Sequence, residues 1–421
     1  MKDQHTSPWY YLLLLILAGE AVFILPFVLA RVFRPTVLEV FELTNLEIGE
    51  CGAVYGIVAL PSYLLGGPLA DRFAPRKLIA IALWMTAIGG LVLATFPSLA
   101  TLKILYGYWG FTTIFLFWAA MIKATRVWGG ERSQGKAFGF LDGGRGLVGA
   151  LFGSLGVLIF SLFIIGEITE ANIADRKEAY KYVIWVSSGV VALIGVLVWL
   201  FMKSSAEREH TIRLERISGQ HIKTVLKLPA VWLLMIIILC AYTGYKVTDD
   251  FSLFAKDVMK YNAIESAQVG TFLLYIRPVV GILIGFIADR SRVTLWLILS
   301  FLLTLLGAAI FASGIIAPNA AFLFFLSICI TASGIYALRS LYFATMQEGH
   351  IPLVLTGTAV GLISLVGYTP DIFAGLAIGH LLDQYPGQEL GHQHVFLMII
   401  GFALVGFIAS LLLYRINFRS R

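Results

Sequence analysis

Runs of mainly apolar residues recur from Trp9 to Leu413, and this recurrence decides the solvent before any motif is read. Crossing a bilayer takes about 20 such residues, and a helix satisfies its own backbone groups in lipid. A membrane barrel would show strands of about 10 residues with alternating polarity, and none are visible in the sequence. Twelve helices are expected, at 9–33, 48–70, 77–96, 101–127, 136–165, 180–202, 229–255, 266–288, 293–316, 319–346, 353–382 and 394–415. Charged residues make up 13% of the chain, roughly half the share in a soluble protein. The expected class is an all-α membrane protein.

One long polar stretch, 203–228, falls between the sixth and seventh spans. It divides the chain into an N-terminal six-helix bundle (1–202), a cytoplasmic linker (203–228) and a C-terminal six-helix bundle (229–421). No extramembrane part is long enough for a nucleotide-binding or catalytic fold. The halves also echo each other. Gly66-Gly67-Pro68-Leu69-Ala70-Asp71-Arg72 closes the second span and Gly285-Phe286-Ile287-Ala288-Asp289-Arg290 the eighth. Gly135–Gly139 and Gly357–Gly361 form a second echo at nearly the same offset. Duplicated halves in a membrane chain place a binding site between them, since transporters commonly rock one repeat against the other.

Basic residues set the orientation. With the N-terminus inside, the cytoplasmic segments hold Lys2, Arg72, Arg76, Lys77, Arg132, Lys136, the linker cations, Arg290, Arg292, Arg415, Arg419 and Arg421. The other side holds mainly Arg176, Lys177, Lys181, Lys256 and Lys260, so both termini are expected in the cytoplasm. The net charge of +6 then reflects topology and argues against a nucleic-acid partner. Cys51, Cys240 and Cys329 are scattered in apolar segments and read as small hydrophobes, with no disulfide, metal or cofactor site. The first apolar run carries Glu20, Arg31 and Arg34 and lacks a clean cleavage site, so it reads as a retained span.

The turn after the second span has its own physical logic. Gly66 and Gly67 let helices approach closely, Asp71 can accept hydrogen bonds at a helix end, and Arg72, Arg76 and Lys77 suit anionic headgroups. Gly67, Leu69, Ala70, Asp71, Arg72, Arg76 and Lys77 spell G-x-L-A-D-R-x-x-x-R-K, which resembles the signature loop of the major facilitator superfamily (MFS). Ala74 departs from it, where the family often has Gly. Twelve spans, the linker after the sixth and the weaker copy after the eighth extend the resemblance over the whole chain. More narrowly, Gly357–Asp371 is similar to a YihN-like bacterial group, a match that carries no substrate.

The resemblance implies two pseudo-symmetric six-helix bundles around one central site, open alternately to either side of a bacterial inner membrane. It also implies a gating charge cluster around Asp71, joined by Arg126 near the end of the fourth span. Gly67, Arg72, Arg76 and the copy at Asp289 and Arg290 belong with it. A topology anchor is the plainer reading of the same residues.

Ionisable residues in the hydrocarbon zone are costly unless they pair or face the bundle interior, so each is a candidate. Glu20, Arg31 and Arg34 lie near one stripe of the first span, with Pro26 between them able to bend it. In organophosphate-type members of the superfamily, arginines at the level of Arg31 bind anionic substrate; the alternative is a solvated arginine at a span end. Lys246 has Asp249 and Asp250 at i+3 and i+4, which permits a local pair as well as a basic clamp. Arg277 lies mid-span with no acid within a turn, and Asp371, after Thr369-Pro370, is the partner offered for it. Asp142 and Arg145, i,i+3 on a glycine-rich face, read as an internal bridge or a gate between halves. Lys123 pairs by spacing with Arg126 and could share a basic cavity with Arg339.

Cations outnumber acids, and arginine suits bidentate recognition of carboxylate or phosphate. The substrate expected is therefore a small organic anion or metabolite, bound by Arg31, Arg34, Lys123, Lys246, Arg277, Arg339 and the aromatic Tyr368. Burial disfavours a carboxylate's charge and a nearby cation favours it, so Glu20 and Asp371 are the proton-coupling candidates, with a fixed bridge as Glu20's other reading. Tyr55, Trp118, Tyr245, Tyr275 and Tyr336 are further aromatics that could stack on substrate or simply pack.

Gly130–Ala137 resembles a phosphate-binding loop, yet Ala137 lacks the hydroxyl for Mg²⁺ and no strand precedes it. His392 and His394 have no further ligand set. The expectation is a secondary transporter working as a monomer, a symporter or antiporter, and not an enzyme. Alternatives are neutral sugar, amino-acid or drug transport by the same fold, or a non-transporting membrane sensor or scaffold.

Overall fold

The computed structural model describes residues 8–129, 134–164, 172–202, 219–289, 291–346, 348, 349, 351 and 356–418. Among these there is helix and turn but no strand. Eleven helices are long and apolar enough to cross a membrane: α1 (Trp9–Val32), α3 (Pro75–Leu93), α4 (Leu99–Thr125), α5 (Phe140–Phe163), α6 (Ile173–Phe201), α7 (Pro229–Asp249), α8 (Ala263–Ala288), α9 (Val293–Ala312), α10 (Ala321–Leu341), α11 (Leu362–Asp383) and α12 (Glu389–Ile416). The remaining long helix, α2 (Asn45–Arg72), runs 28 residues; at 1.5 Å per residue that is ~42 Å, also enough to span. The expected all-α membrane fold is the observed one.

Local chemistry explains where the helices begin and end. Asn172 and Asp175 form a reciprocal capping box at the start of α6, and Asn262 with Glu265 does the same for α8. Pro75 and Pro229 occupy the first helical positions of α3 and α7, where a missing N–H costs nothing. After α9, Gly314 takes a φ of 69°, the left-handed turn that favours glycine just past a helix.

Among the described residues, four of these helices are irregular. α1 widens to a π-helical turn over Ile24–Val28, where Pro26 has no N–H to give the α ladder. α4 is π-helical over Phe111–Trp118. α7 tightens to a 3₁₀ turn at Val247–Asp249. α11 is continued from a helix at Thr356–Gly367, breaks at Tyr368-Thr369, and resumes at Pro370. Such interruptions need local compensation in lipid and concentrate at functional sites.

The chain divides into two compact units. The first takes Met1–Leu43, Glu50–Leu214 and Asn262–Pro278; the second takes Thr44–Gly49, Glu215–Tyr261 and Val279–Arg421. The first unit's core holds Phe33 against Phe160 at 5.2 Å and Tyr180 at 5.5 Å between ring centroids. In the second, Phe311 stacks on Phe396 at 4.4 Å and Phe254 on Phe324 at 5.5 Å. Large apolar side chains such as Ile104, Leu162 and Phe322 are largely exposed, as a lipid solvent allows.

Candidate functional site

In the first unit, Glu20 on α1 is 4% exposed. Its Oε2 lies 3.4 Å from Arg145 Nε of α5, and its Oε1 lies 4.0 Å from Arg277 Nη1 of α8. Arg277 Nη2 donates to Asp142 Oδ1 at 2.9 Å. Four charges from three helices therefore form one network. Glu20 Oε2 is buried yet accepts no hydrogen bond among the described residues, so charge rather than hydrogen bonding holds that oxygen.

The glycines of α5 make room for this network. A Cβ on Gly149 would sit 2.9 Å from Glu20 Oε1, and one on Gly146 would meet Pro278 Cδ at 3.2 Å and Arg277 Cγ at 3.4 Å. The Arg145 guanidinium lies over Phe23 at 5.5 Å and Trp118 at 5.9 Å, aromatic faces that attract a desolvated cation. Phe23 adjoins the π-helical turn of α1, and Trp118 is the last residue of the π-helical stretch of α4. Arg31 and Arg34 are each 6% exposed, so neither is a solvated arginine at a span end.

The second unit has its own cluster. Lys246 Nζ of α7 is 2.6 Å from Asp371 Oδ1 of α11, and Tyr242 OH donates to the same oxygen at 3.0 Å. Arg339 of α10 stacks over Tyr245 at 4.0 Å. Tyr242 meets Tyr368 edge-on at 4.9 Å, and the hydroxyls of Tyr368 and Tyr342 are 3.1 Å apart. The break before Pro370 puts Asp371 in the first turn of a helix segment, where a carboxylate is favoured by the helix dipole.

These pairings correct one expectation. Asp371 was offered to Arg277, but it accepts from Lys246 and Tyr242, while Arg277 joins Asp142 and Glu20. Asp142 and Arg145 reach partners on other helices, α8 and α1. Lys123 donates to the Ala70 carbonyl at 2.9 Å, which places its ammonium at the end of α2. Tyr275 OH pairs with Ser154 Oγ at 2.9 Å and is partly exposed. Tyr242 and Tyr342 were missed; their signal was a spacing of one turn from Lys246 and Arg339.

At the signature loop, Arg76 lies over Trp199 at 5.7 Å. Gly67, Asp71, Arg72, Arg126 and Asp289 have helical backbone, but the side chains of the four charged residues lie outside the described residues, as does the whole of Arg290.

Relatives and solved structures agree on the class. The chain is 27% identical over 413 residues to the inner membrane protein YqcE of Escherichia coli (strain K12), covering 96% of this chain and 94% of the relative. It is 25% identical over 417 residues to the inner membrane protein YihN of the same organism, covering 97% and 95%. Its fold resembles a bacterial homologue of the human lysosomal transporter Spinster in an inward-facing, unoccupied conformation, at a TM-score of 0.74 and 16% identity, covering 98% of both chains. The nucleoside transporter NupG gives 0.71 and 15%, covering 96% of this chain and 99% of that one. The family model described as Major Facilitator Superfamily matches residues 11–375, a stretch that takes in both Glu20 and Asp371; this chain belongs to the Major Facilitator Superfamily and is a multi-pass membrane transporter, not an enzyme.

Proposed function

We propose that the protein carries a small organic anion across the inner membrane by alternating access, with the movement coupled to protons or to a second solute. The observation that supports this most is an imbalance of buried charge among the described residues of the first unit. Arg31, Arg34, Arg145 and Arg277 are 6–7% exposed, against Glu20 at 4%, while the Asp142 side chain is 47% exposed. In a low-dielectric interior such an excess of guanidinium attracts an anion, and the planar fork suits carboxylate or phosphate.

Glu20 supplies the coupling. An anion arriving at Arg277 competes for a charge that pairs with the Glu20 carboxylate, which links cargo to that group. Asp371, against Lys246, is the second coupling candidate. In this reading Arg31, Arg34, Lys123, Lys246, Arg277, Arg339 and Tyr368 contact substrate. Asp142 and Arg145 act in gating with Gly67, Asp71, Arg72, Arg76, Arg126, Asp289 and Arg290. The halves 1–202 and 229–421, joined by 203–228, are the moving parts of a monomer whose termini face the cytoplasm.

The test is a thermal-shift screen of organic anions, sugars and amino acids on purified protein, followed by uptake into liposomes. Anions should raise Tm in the wild type and fail to do so in folded Arg277→Ala and Arg31→Ala. Anion binding retained in both variants, or stabilisation by neutral solutes alone, defeats the reading. A protein that binds but moves nothing is a sensor.

A further inference from the structure

Two helices of the first unit, α3 and α6, leave an open groove of about 460 Å³ between them. They run antiparallel, since Trp84 bonds to Ala192 while Gly90 lies against Ser188. Small side chains make the floor, where Ala87 and Ser188 are buried. Large ones make the rim, where Ile88, Leu91 and Trp185 are exposed. Gly189 also lines the groove, and a Cβ there would meet nothing within 4 Å. The volume falls within the range of ligand sites.

The two ends of the groove are unlike. At one, the Trp84 indole N–H donates to the Ala192 carbonyl at 3.2 Å, and its ring lies 5.6 Å from that of Trp199. Gly195 allows this, because a Cβ there would sit 2.6 Å from Trp84 Nε1. The indoles close that end with apolar surface. At the other end, Lys181 Nζ lies over the Trp185 ring at 4.8 Å. One turn further, Lys177 Nζ lies over the Phe96 ring at 4.8 Å. Arg176 beside them is bound to Glu39. Among the described residues, neither lysine has a carboxylate partner, not even Glu178 three residues before Lys181.

Length and charge together identify the occupant. From Lys181 to Ala192 is eleven residues, or ~17 Å of helix. One leaflet supplies about 15 Å of hydrocarbon, half the core of a bilayer. A headgroup held at Lys181 therefore lays one acyl chain of the same molecule along the groove, with its end at Trp84. Lysines beside aromatic rings at a membrane interface suit an anionic headgroup.

We infer that the groove between α3 and α6 is a binding site for one anionic phospholipid, with an acyl chain over Ala87, Ser188 and Gly189 and the headgroup phosphate on Lys181 and Lys177. The site lies within the first unit. It requires nothing of the cargo or of the buried arginines, so it stands apart from the proposed function.

The experiment uses the full chain purified in detergent. It is titrated with phosphatidylglycerol or phosphatidylcholine carrying bromine on the acyl chains, which quenches tryptophan on contact. The wild type should show a saturable quenching phase, half-complete at about fivefold less phosphatidylglycerol than phosphatidylcholine, the factor expected for one lysine at an anionic headgroup. Gly189→Leu places its side chain in the groove from a Cβ in open space, and should abolish the phase at an unchanged Tm. Trp185→Phe removes a reporter from the rim and should shrink the phase, which keeps the test alive if Gly189→Leu fails to fold. Lys177→Gln with Lys181→Gln should bring the two lipids to equal half-saturation. Equal quenching by both lipids in the wild type overturns the proposal. So does a saturable phase untouched in folded Gly189→Leu or in Trp185→Phe. A dimer in light scattering whose rim tryptophans no lipid quenches also overturns it, because a second copy is then the occupant.

Discussion

Tyr242 and Lys246, one turn apart on α7, converge on a single oxygen of Asp371, at 3.0 and 2.6 Å. A carboxylate so held has its geometry fixed by two donors from one helix. The two side chains of the ion pair are 13% and 9% exposed, so water does little to screen them.

Removing one side of this pair should cost far more than removing both. Asp371→Ala removes the acid bonded to a buried ammonium and is expected to destabilise the protein by about 3–5 kcal/mol. The double change Asp371→Leu with Lys246→Met should recover most of that loss. Thermal melting in a double-mutant cycle measures the difference, and equal losses in the single and double variants would count against a paired state.

Glu20→Gln removes the group proposed to carry the proton while keeping its size. Substrate exchange across liposomes should persist, while uphill uptake driven by a proton gradient should fall at least about tenfold. Radiolabelled counterflow, run beside gradient-driven uptake, separates the two. Gradient-driven uptake at the wild-type level would remove Glu20 from the coupling.

Two glycines on α8 should respond in opposite directions. A Cβ at Gly270 would lie 2.9 Å from Val32 Cα and 3.2 Å from the Arg31 carbonyl oxygen, whereas at Gly285 it would meet nothing within 4 Å. Gly270→Ala is expected to destabilise by about 1–3 kcal/mol through overpacking. Gly285→Ala should be neutral, or stabilising by up to ~1 kcal/mol from helix propensity. Paired melting curves give the comparison.

Arg339→Lys keeps the charge and loses the plane that stacks on Tyr245 at 4.0 Å. Substrate affinity should drop by roughly fivefold, the scale of a partly buried cation–π contact. Tyr245→Phe should bind as the wild type does. Titration calorimetry with the ligand found by the anion screen reports both.

The membrane architecture was legible because it is written in composition and run length, which need no knowledge of packing. Asp71, Arg72, Arg76 and Lys77 carried the family because a short turn keeps its chemistry contiguous. Buried charges were legible as well, since Glu20, Arg277 and Asp371 stand out inside apolar runs. Their partners were not. Spacing along one helix suggests i,i+3 and i,i+4 pairs, but Arg145 and Asp142 reach Glu20 and Arg277 because Gly146 and Gly149 let α1 and α8 close in. That geometry belongs to three helices at once. Pro26 did signal irregular backbone, whereas the π-helical stretch of α4 at Phe111–Trp118 carries no proline to announce it.

The widened turn around Pro26 resets the phase of α1. A π turn accommodates an extra residue relative to an α turn, so Glu20 and Arg31, which regular steps would aim in nearly the same direction, are addressed separately by what lies between them. Tightening Ile24–Val28 to a regular α turn at the same length would rotate everything downstream by about 100°. Arg31 and Arg34 would swing to a new bearing with every charge in the chain still in place.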